Sequence, residues 1–350
     1  MAYTTINKSS DYFNTKLYTG DGTAIGSGGQ AITGVGFQPD FTWIKERSST
    51  SPHKLLDAVR GVTKELESNL TNAESTQAES LASFNSDGFT VGSNGAVNEN
   101  SQTYASWNWL ANGTGSANTD GTISSTVSAN TTAGFSVVSY TGNATAGSTI
   151  GHGLGSAPSM IIAKRRSAVE NWGVYHKSMG ASKYINLDTT TAEQSSTSRW
   201  NGTEPTSSVF SVNTHASVNG SGDTYIAYCF AEKTGYSKFG SYTGNGNADG
   251  TFVYTGFKPA FIIHKRTDAT GNWNMHDSTR SLINTADERL YSNLSNAEDS
   301  GGDYGDDILS NGFKIRTTEA SWNASGGSYI YMAFAEAPLV GSNNVPCTAR

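Results

Sequence analysis

Cysteine is almost absent from this chain of 350 residues. Cys229 and Cys347 stand far apart in no metal or redox spacing, so no disulfide framework is expected. Charge is scarce as well: Asp, Glu, Lys and Arg make up 15%, below the usual share of a globular domain. The net charge is −7 and the longest basic run is Lys164-Arg165-Arg166, which argues against a grip on nucleic-acid phosphates. No stretch approaches the roughly 20 apolar residues of a membrane span. The opening Met1-Ala2-Tyr3-Thr4-Thr5 has neither a basic segment nor an apolar run, so no secretory signal is read and synthesis in the cytoplasm is expected. Hydrophobic residues reach only 35%, too few for a helical bundle or an α/β enzyme.

Glycine, serine, threonine and asparagine fill the gap, with 39 glycines. This composition suits short strands joined by tight polar turns. An internal repeat organises them. Tyr-Thr-Gly begins at Tyr18, Tyr140 and Tyr242. Each is followed by a Gly-rich stretch, then by a proline and an apolar run ending in lysine: Pro39 to Lys45, Pro158 to Lys164 and Pro259 to Lys265. An Ala-Glu pair follows at Glu74, Glu193 and Glu298, then a Phe-centred strand at Phe89, Phe210 and Phe313. An aromatic strand closes each unit, beginning at Tyr104, Tyr225 and Tyr329.

Six ordered landmarks in three copies predict three tandem antiparallel β-sandwiches of jelly-roll or lectin type, each about 100 residues and with little helix. Their expected bounds are 1–112, 135–232 and 236–338. Residues 113–134 read as a flexible linker or polar edge hairpin, and 339–350 as a tail that clasps a neighbour. The continuous runs after each proline predict strands covered on both faces. The best helical pattern runs from Lys54 to Leu66, with Leu55, Val59, Val62 and Leu66 on one face and Gly61 interrupting it.

Chemistry is harder to find. The repeated Glu74, Glu193 and Glu298 lack the second aligned acid that glycoside hydrolysis requires. They read as anchors that accept backbone N–H bonds or pair with the repeated Lys45, Lys164 and Lys265. His53, His176 and His276 follow each lysine strand without a nucleophile elbow or a metal spacing; a half-buried imidazole packed beside an aromatic is the simpler reading. Asn245-x-Asn247-x-Asp249-Gly250 imitates an EF-hand start, but its twelfth position is Gly256. Asp299, Asp303, Asp306 and Asp307 crowd a glycine-rich loop that would suit Ca²⁺, a solvated acidic loop being the commoner outcome. No other cofactor is expected. Asn-x-Ser/Thr triplets, as at Asn69 and Asn293, arise from composition.

The aromatics are the more informative feature. Sugar C–H faces stack on aromatic rings, and Trp107, Trp172, Trp200, Trp273 and Trp322 lie among Asn, Ser and Gly. They are the candidate glycan-binding residues.

Several segments are familiar together: Thr5 to Gly20, Gly36-Phe37-Gln38-Pro39-Asp40-Phe41-Thr42-Trp43-Ile44-Lys45, Ser86-Asp87-Gly88-Phe89-Thr90-Val91-Gly92, Tyr104-Ala105-Ser106-Trp107-Asn108-Trp109 and the ending Val345-Pro346-Cys347-Thr348-Ala349-Arg350. Over nearly the whole chain they resemble a family of virion proteins of marine bacteriophages. That family is similar to tail-associated and other virion-surface proteins with concanavalin-like lectin domains. The resemblance implies a place on the virion exterior and brings no catalytic residues. The expectation is a non-enzymatic virion protein, first a tail fibre or receptor-binding component that contacts host carbohydrate. The alternatives are a capsid decoration, cement or tail-collar protein, and then a glycan depolymerase. Expected partners are other virion proteins and further copies of itself, a trimer foremost, with no nucleic acid and no membrane insertion.

Overall fold

The computed structural model describes residues 3–301, 304–341 and 343. It is all-β, built of antiparallel sheets. Its helices of α type are single turns, Gly95–Asn98, Ala216–Asn219 and Ala320–Asn323. None is long and apolar enough to cross a membrane.

Twelve strands carry the architecture. In the first stretch they are β1 (Phe13–Thr19), β2 (Phe41–Glu46), β3 (Lys54–Asp57) and β4 (Thr103–Trp109). In the second they are β5 (Phe135–Thr141), β6 (Met160–Arg165), β7 (Gly173–His176) and β8 (Thr224–Phe230). In the third they are β9 (Ser237–Thr243), β10 (Phe257–Arg266), β11 (Trp273–Asp277) and β12 (Ser328–Pro338). The hydrogen-bonded order is first, fourth, second, third in every stretch. Ser116–Asn118 and Ser125–Asn130 extend the second sheet beyond β5, so part of the polar segment 113–134 is an ordered edge hairpin.

Alternation along each central strand divides two cores, because successive side chains leave a strand on opposite faces. Phe41, Trp43, Trp107 and Trp109 of the first stretch meet Met160, Ile162, Tyr228 and Phe230 of the second and Phe261, Ile263, Met332 and Phe334 of the third in one shared cluster. The other faces turn toward smaller sheets, such as Gln30–Thr33 with Gly88–Val91 and Leu81–Asn85, and enclose a separate core in each stretch. The runs after each proline are thus covered on both sides, as their unbroken apolarity predicts.

Lys54 to Leu66 is not a helix. Leu55 packs in the shared cluster and Leu56 in the first stretch's own core. Consecutive leucines bound for opposite faces suit a strand and defeat a helix. Gly61 then turns the chain at φ +95°, and Leu66 bridges back to Leu55.

The Tyr-Thr-Gly landmarks have a packing reason. Tyr18, Tyr140 and Tyr242 stack on Tyr104, Tyr225 and Tyr329 with ring centroids 4.8–5.1 Å apart. A Cβ on Gly20, Gly142 or Gly244 would lie 2.3–2.4 Å from the carbonyl oxygen of Glu99, Gly220 or Ala324. Only glycine permits that approach.

Candidate functional site

The five candidate tryptophans are interior, each at most 2% exposed, so none offers a ring face to a sugar. They hold the fold instead. Trp172 Nε1 donates to the Glu67 carbonyl at 2.9 Å and Trp273 Nε1 to the Asn186 carbonyl at 2.9 Å. Trp107 Nε1 donates to Asp277 Oδ2 at 3.0 Å. Trp200 packs edge-on to Tyr175, and Trp322 edge-on to His264 and His276. Their polar sequence neighbours suggested a rim because asparagine, serine and glycine also line buried turns, where backbone groups complete the hydrogen bonding.

Among the described residues the acidic loop does not converge. Asp299 pairs with Arg289 at 2.5 Å, Asp307 faces Arg316 at 3.4 Å, and Asp306 is fully buried. Burial holds the Asp306 carboxyl well above the ordinary range, with the neighbouring Asp307 adding to the shift. Asp303 lies outside the described residues, as does Cys347. Among the described residues no three His, Cys, Asp or Glu groups gather to hold a metal. In the EF-hand-like turn Asp249 is occupied by Lys314 and Arg316.

His53, His176 and His276 are fully rather than half buried. His53 accepts from Trp43 Nε1 at 2.8 Å and donates to the Tyr291 carbonyl at 2.8 Å. His176 accepts from the Ser178 N–H at 3.2 Å and donates to the Tyr331 carbonyl at 3.1 Å. One nitrogen accepts and the other donates, so both rings are neutral. Burial accordingly pulls His53 down to about 3 and His176 to about 4.

The repeated glutamates lie where the stretches meet. The Glu74 N–H donates to the Arg166 carbonyl, Glu193 to Thr267 and Glu298 to Arg47, at 2.9, 2.8 and 2.7 Å. These are anchoring bonds in which the glutamate backbone is the donor. Two of the three carboxylates take arginine, and Glu193 takes Lys183; none pairs with a repeated lysine among the described residues. Glu74 receives Arg166 Nε and Nη2 at 2.8 and 2.9 Å and Arg60 Nη1 at 3.4 Å. Glu298 receives Arg47 Nε at 3.0 Å and Nη2 at 2.5 Å, with Arg280 Nη1 at 2.9 Å. Burial pushes both carboxyls up, but the guanidiniums outweigh it and hold them below the ordinary range.

Behind each of these two glutamates lies a second ion pair. Arg60 donates through Nε to Asp57, and Arg280 to Asp277, both pairs wholly buried. Asp57 also accepts Tyr228 Oη of the second stretch at 2.9 Å, as Asp277 accepts Trp107 of the first. Lys45, Lys164 and Lys265 bond carbonyls, including Thr71 for Lys164 and Thr190 for Lys265. Burial brings Lys45 and Lys164 to about 8 and Lys265 to about 7.

The arginines were missed from sequence. A signal exists in Asp57-Ala58-Val59-Arg60 and Asp277-Ser278-Thr279-Arg280, an Asp-x-x-Arg at one position of two units. The second unit has His176-Lys177-Ser178-Met179 there and breaks the pattern. Its junction with the third stretch opens into a cavity of about 310 Å³ lined by Met179, Lys183, Glu193, Ser241, Thr267 and Ser328 among others.

No curated protein and no solved structure matches the chain. A family profile described as "Domain of unknown function (DUF7483)" matches residues 8–338. The chain therefore belongs to the DUF7483 family.

Proposed function

We propose that this chain is a non-enzymatic structural protein of a phage virion exterior, built of three tandem antiparallel sandwiches, and that its role is architectural. The identical strand order in the three stretches supports the tandem reading. The virion setting rests on the resemblance of the quoted segments. The observation that carries the architectural role is the shared core: three stretches bury one cluster and lock it with buried ion pairs. Domains joined that way cannot tumble separately, which suits a decoration, cement or collar subunit. Three cavities, beside Phe13, beside Met179 and beside Tyr140, each have at most one carboxylate in their lining, which supports a role without bond cleavage.

Receptor binding keeps one observation in its favour. Phe252 and Tyr254, on the strand Phe252–Tyr254, are 44% and 53% exposed. An exposed aromatic pair on one strand face is a stacking platform of the kind the interior tryptophans do not supply. The test is immunogold labelling of intact particles with antibody to this chain. Label on the head or collar is expected from the architectural role, and label confined to the tail tip supports receptor binding. Particles without label would overturn the virion reading. A glycan array with wild type and Phe252→Ala/Tyr254→Ala then decides whether carbohydrate is bound.

A further inference from the structure

The three junctions are laid out alike in the backbone, and one of them lacks its side chains. At each, a glutamate N–H reaches a carbonyl just past the repeated lysine, at Arg166, Arg47 or Thr267. Two junctions fill the space beside that bond with two guanidiniums, Arg166 with Arg60 and Arg47 with Arg280. At the junction of the second and third stretches Thr267 replaces one arginine and Met179 the other. The glutamate remains.

What is left is the cavity of about 310 Å³. The Glu193 carboxylate meets only Lys183 among the described residues, through Oε1 at 2.5 Å, and Lys183 is 38% exposed. The cavity wall includes the hydroxyl residues Ser178, Ser241, Thr243 and Ser328. Ser241 stands in register with Ser139, whose Oγ accepts Arg166 Nη1 at 3.2 Å in the filled junction. The donors have gone and acceptors suited to them line the space.

We propose that this cavity binds a guanidinium group supplied by another molecule, with Glu193 as its bidentate acceptor and the surrounding hydroxyls taking the outer N–H groups. A guanidinium presents parallel donors that match a carboxylate, while an ammonium offers a single point contact. The group comes either from free arginine or from an arginine side chain of another polypeptide. This inference does not depend on the virion setting.

Calorimetric titration with arginine amide, lysine amide and the peptide Gly-Arg-Gly tests it. Wild type is expected to bind arginine amide at one site with Kd on the order of 1 mM, about tenfold tighter than lysine amide. Glu193→Gln should weaken arginine amide about tenfold. Thr267→Arg should abolish binding by filling the space from within, and should raise the melting temperature, a readout that needs no ligand. Circular dichroism and melting curves establish that both variants fold. Gly-Arg-Gly binding at least as well as arginine amide identifies a side chain as the source; binding of arginine amide alone identifies a small molecule. Equal affinity for arginine and lysine amides, or a folded Glu193→Gln variant that binds as wild type does, overturns the proposal.

Discussion

In the first stretch, Ile44, Leu56, Leu81 and Val97 fill the space between the two sheets. In the third, the residues at the same register positions are His264, His276, Asp306 and Trp322. The frames around them match. The Tyr-on-Tyr stack, the capped helical turn and the Gly-to-carbonyl approach are present in both. The fillings are opposite in chemistry. Desolvation must be borne by each buried polar group, and in the third stretch it forces His264 down to about 3 and Asp306 well above its ordinary range. His264 Nε2 and Asp306 Oδ2 are 3.9 Å apart, too far for a hydrogen bond, and neither has another partner among the described residues. A frame held by backbone approach and aromatic stacking therefore tolerates a core that local energetics disfavour.

Truncation of the packing residue breaks the comparison most strongly. Trp322 packs edge-on to both histidines at 4.5 and 4.4 Å. Trp322→Ala should cost about 4 kcal/mol, against about 2 kcal/mol for Val97→Ala, because the cavity left is larger. Urea melts of both variants check the ratio. Equal losses would mean that the third core collapses around its polar groups.

Exchanging the fillings comes next. His264→Ile/His276→Leu/Asp306→Leu should raise stability by about 2 kcal/mol, since replacing a buried polar cluster with apolar residues of similar volume is commonly stabilising. The reverse change, Ile44→His, should lower it by a similar amount. A triple variant less stable than wild type would show that the Tyr242–His264 hydrogen bond and the packing on Trp322 outweigh the desolvation of the trio.

The same variants separate in acid. His53, His176 and His264 have native values of about 3, 4 and 3, against 6.5 in the unfolded chain. Below pH 6.5 the unfolded chain takes up protons that the native chain refuses. Stability from these groups is complete above that pH and is lost as pH falls toward about 3–4. By about pH 4 each of His53 and His264 should cost on the order of 3 kcal/mol. Asp306 runs the other way. Its native value is raised, so its contribution is present in acid and lost as pH rises past the unfolded value near 3.8. Denaturation midpoints measured from neutral to acid pH should fall less steeply in the triple variant than in wild type. An unchanged slope would place the acid sensitivity in His53 and His176 alone.

Much of this frame was legible in the chain. The three landmarks ending in Lys45, Lys164 and Lys265 marked strands covered on both faces, and the Tyr-Thr-Gly triplets marked a recurrent close approach. Composition correctly excluded a helical fold. The candidate site was far less legible. Trp107 and Trp273 were read from their polar neighbours in sequence, whereas burial is set by strand parity: each points to the cluster where three stretches meet. Strand alternation shows that two faces exist but does not say that the inner faces of separate stretches share one core. Arg60 and Arg166 are far apart in sequence and meet only through Glu74. Their role depends on a junction that no local pattern announces. The Lys54 to Leu66 helix failed for a related reason: a run with apolar residues bound for both faces, like Leu55 and Leu56, cannot be told from a buried helix by periodicity alone.

The smallest expected effect tests whether the frames are equivalent. Tyr104 Oη donates to the Gly95 carbonyl at 2.6 Å and accepts the Glu99 N–H at 2.7 Å. Tyr329 Oη donates to the Ala320 carbonyl at 2.7 Å and accepts the Ala324 N–H at 2.8 Å. Each hydroxyl thus ties both ends of a four-residue helix to the strand that closes its stretch. Tyr104→Phe and Tyr329→Phe keep the ring stack and remove only these bonds, so each should cost about 1 kcal/mol. The two losses should agree within the error of a urea melt, whatever fills the core beneath. A loss clearly larger at Tyr329 would show that the polar core leans on its cap, and that frame and filling in the third stretch are not independent.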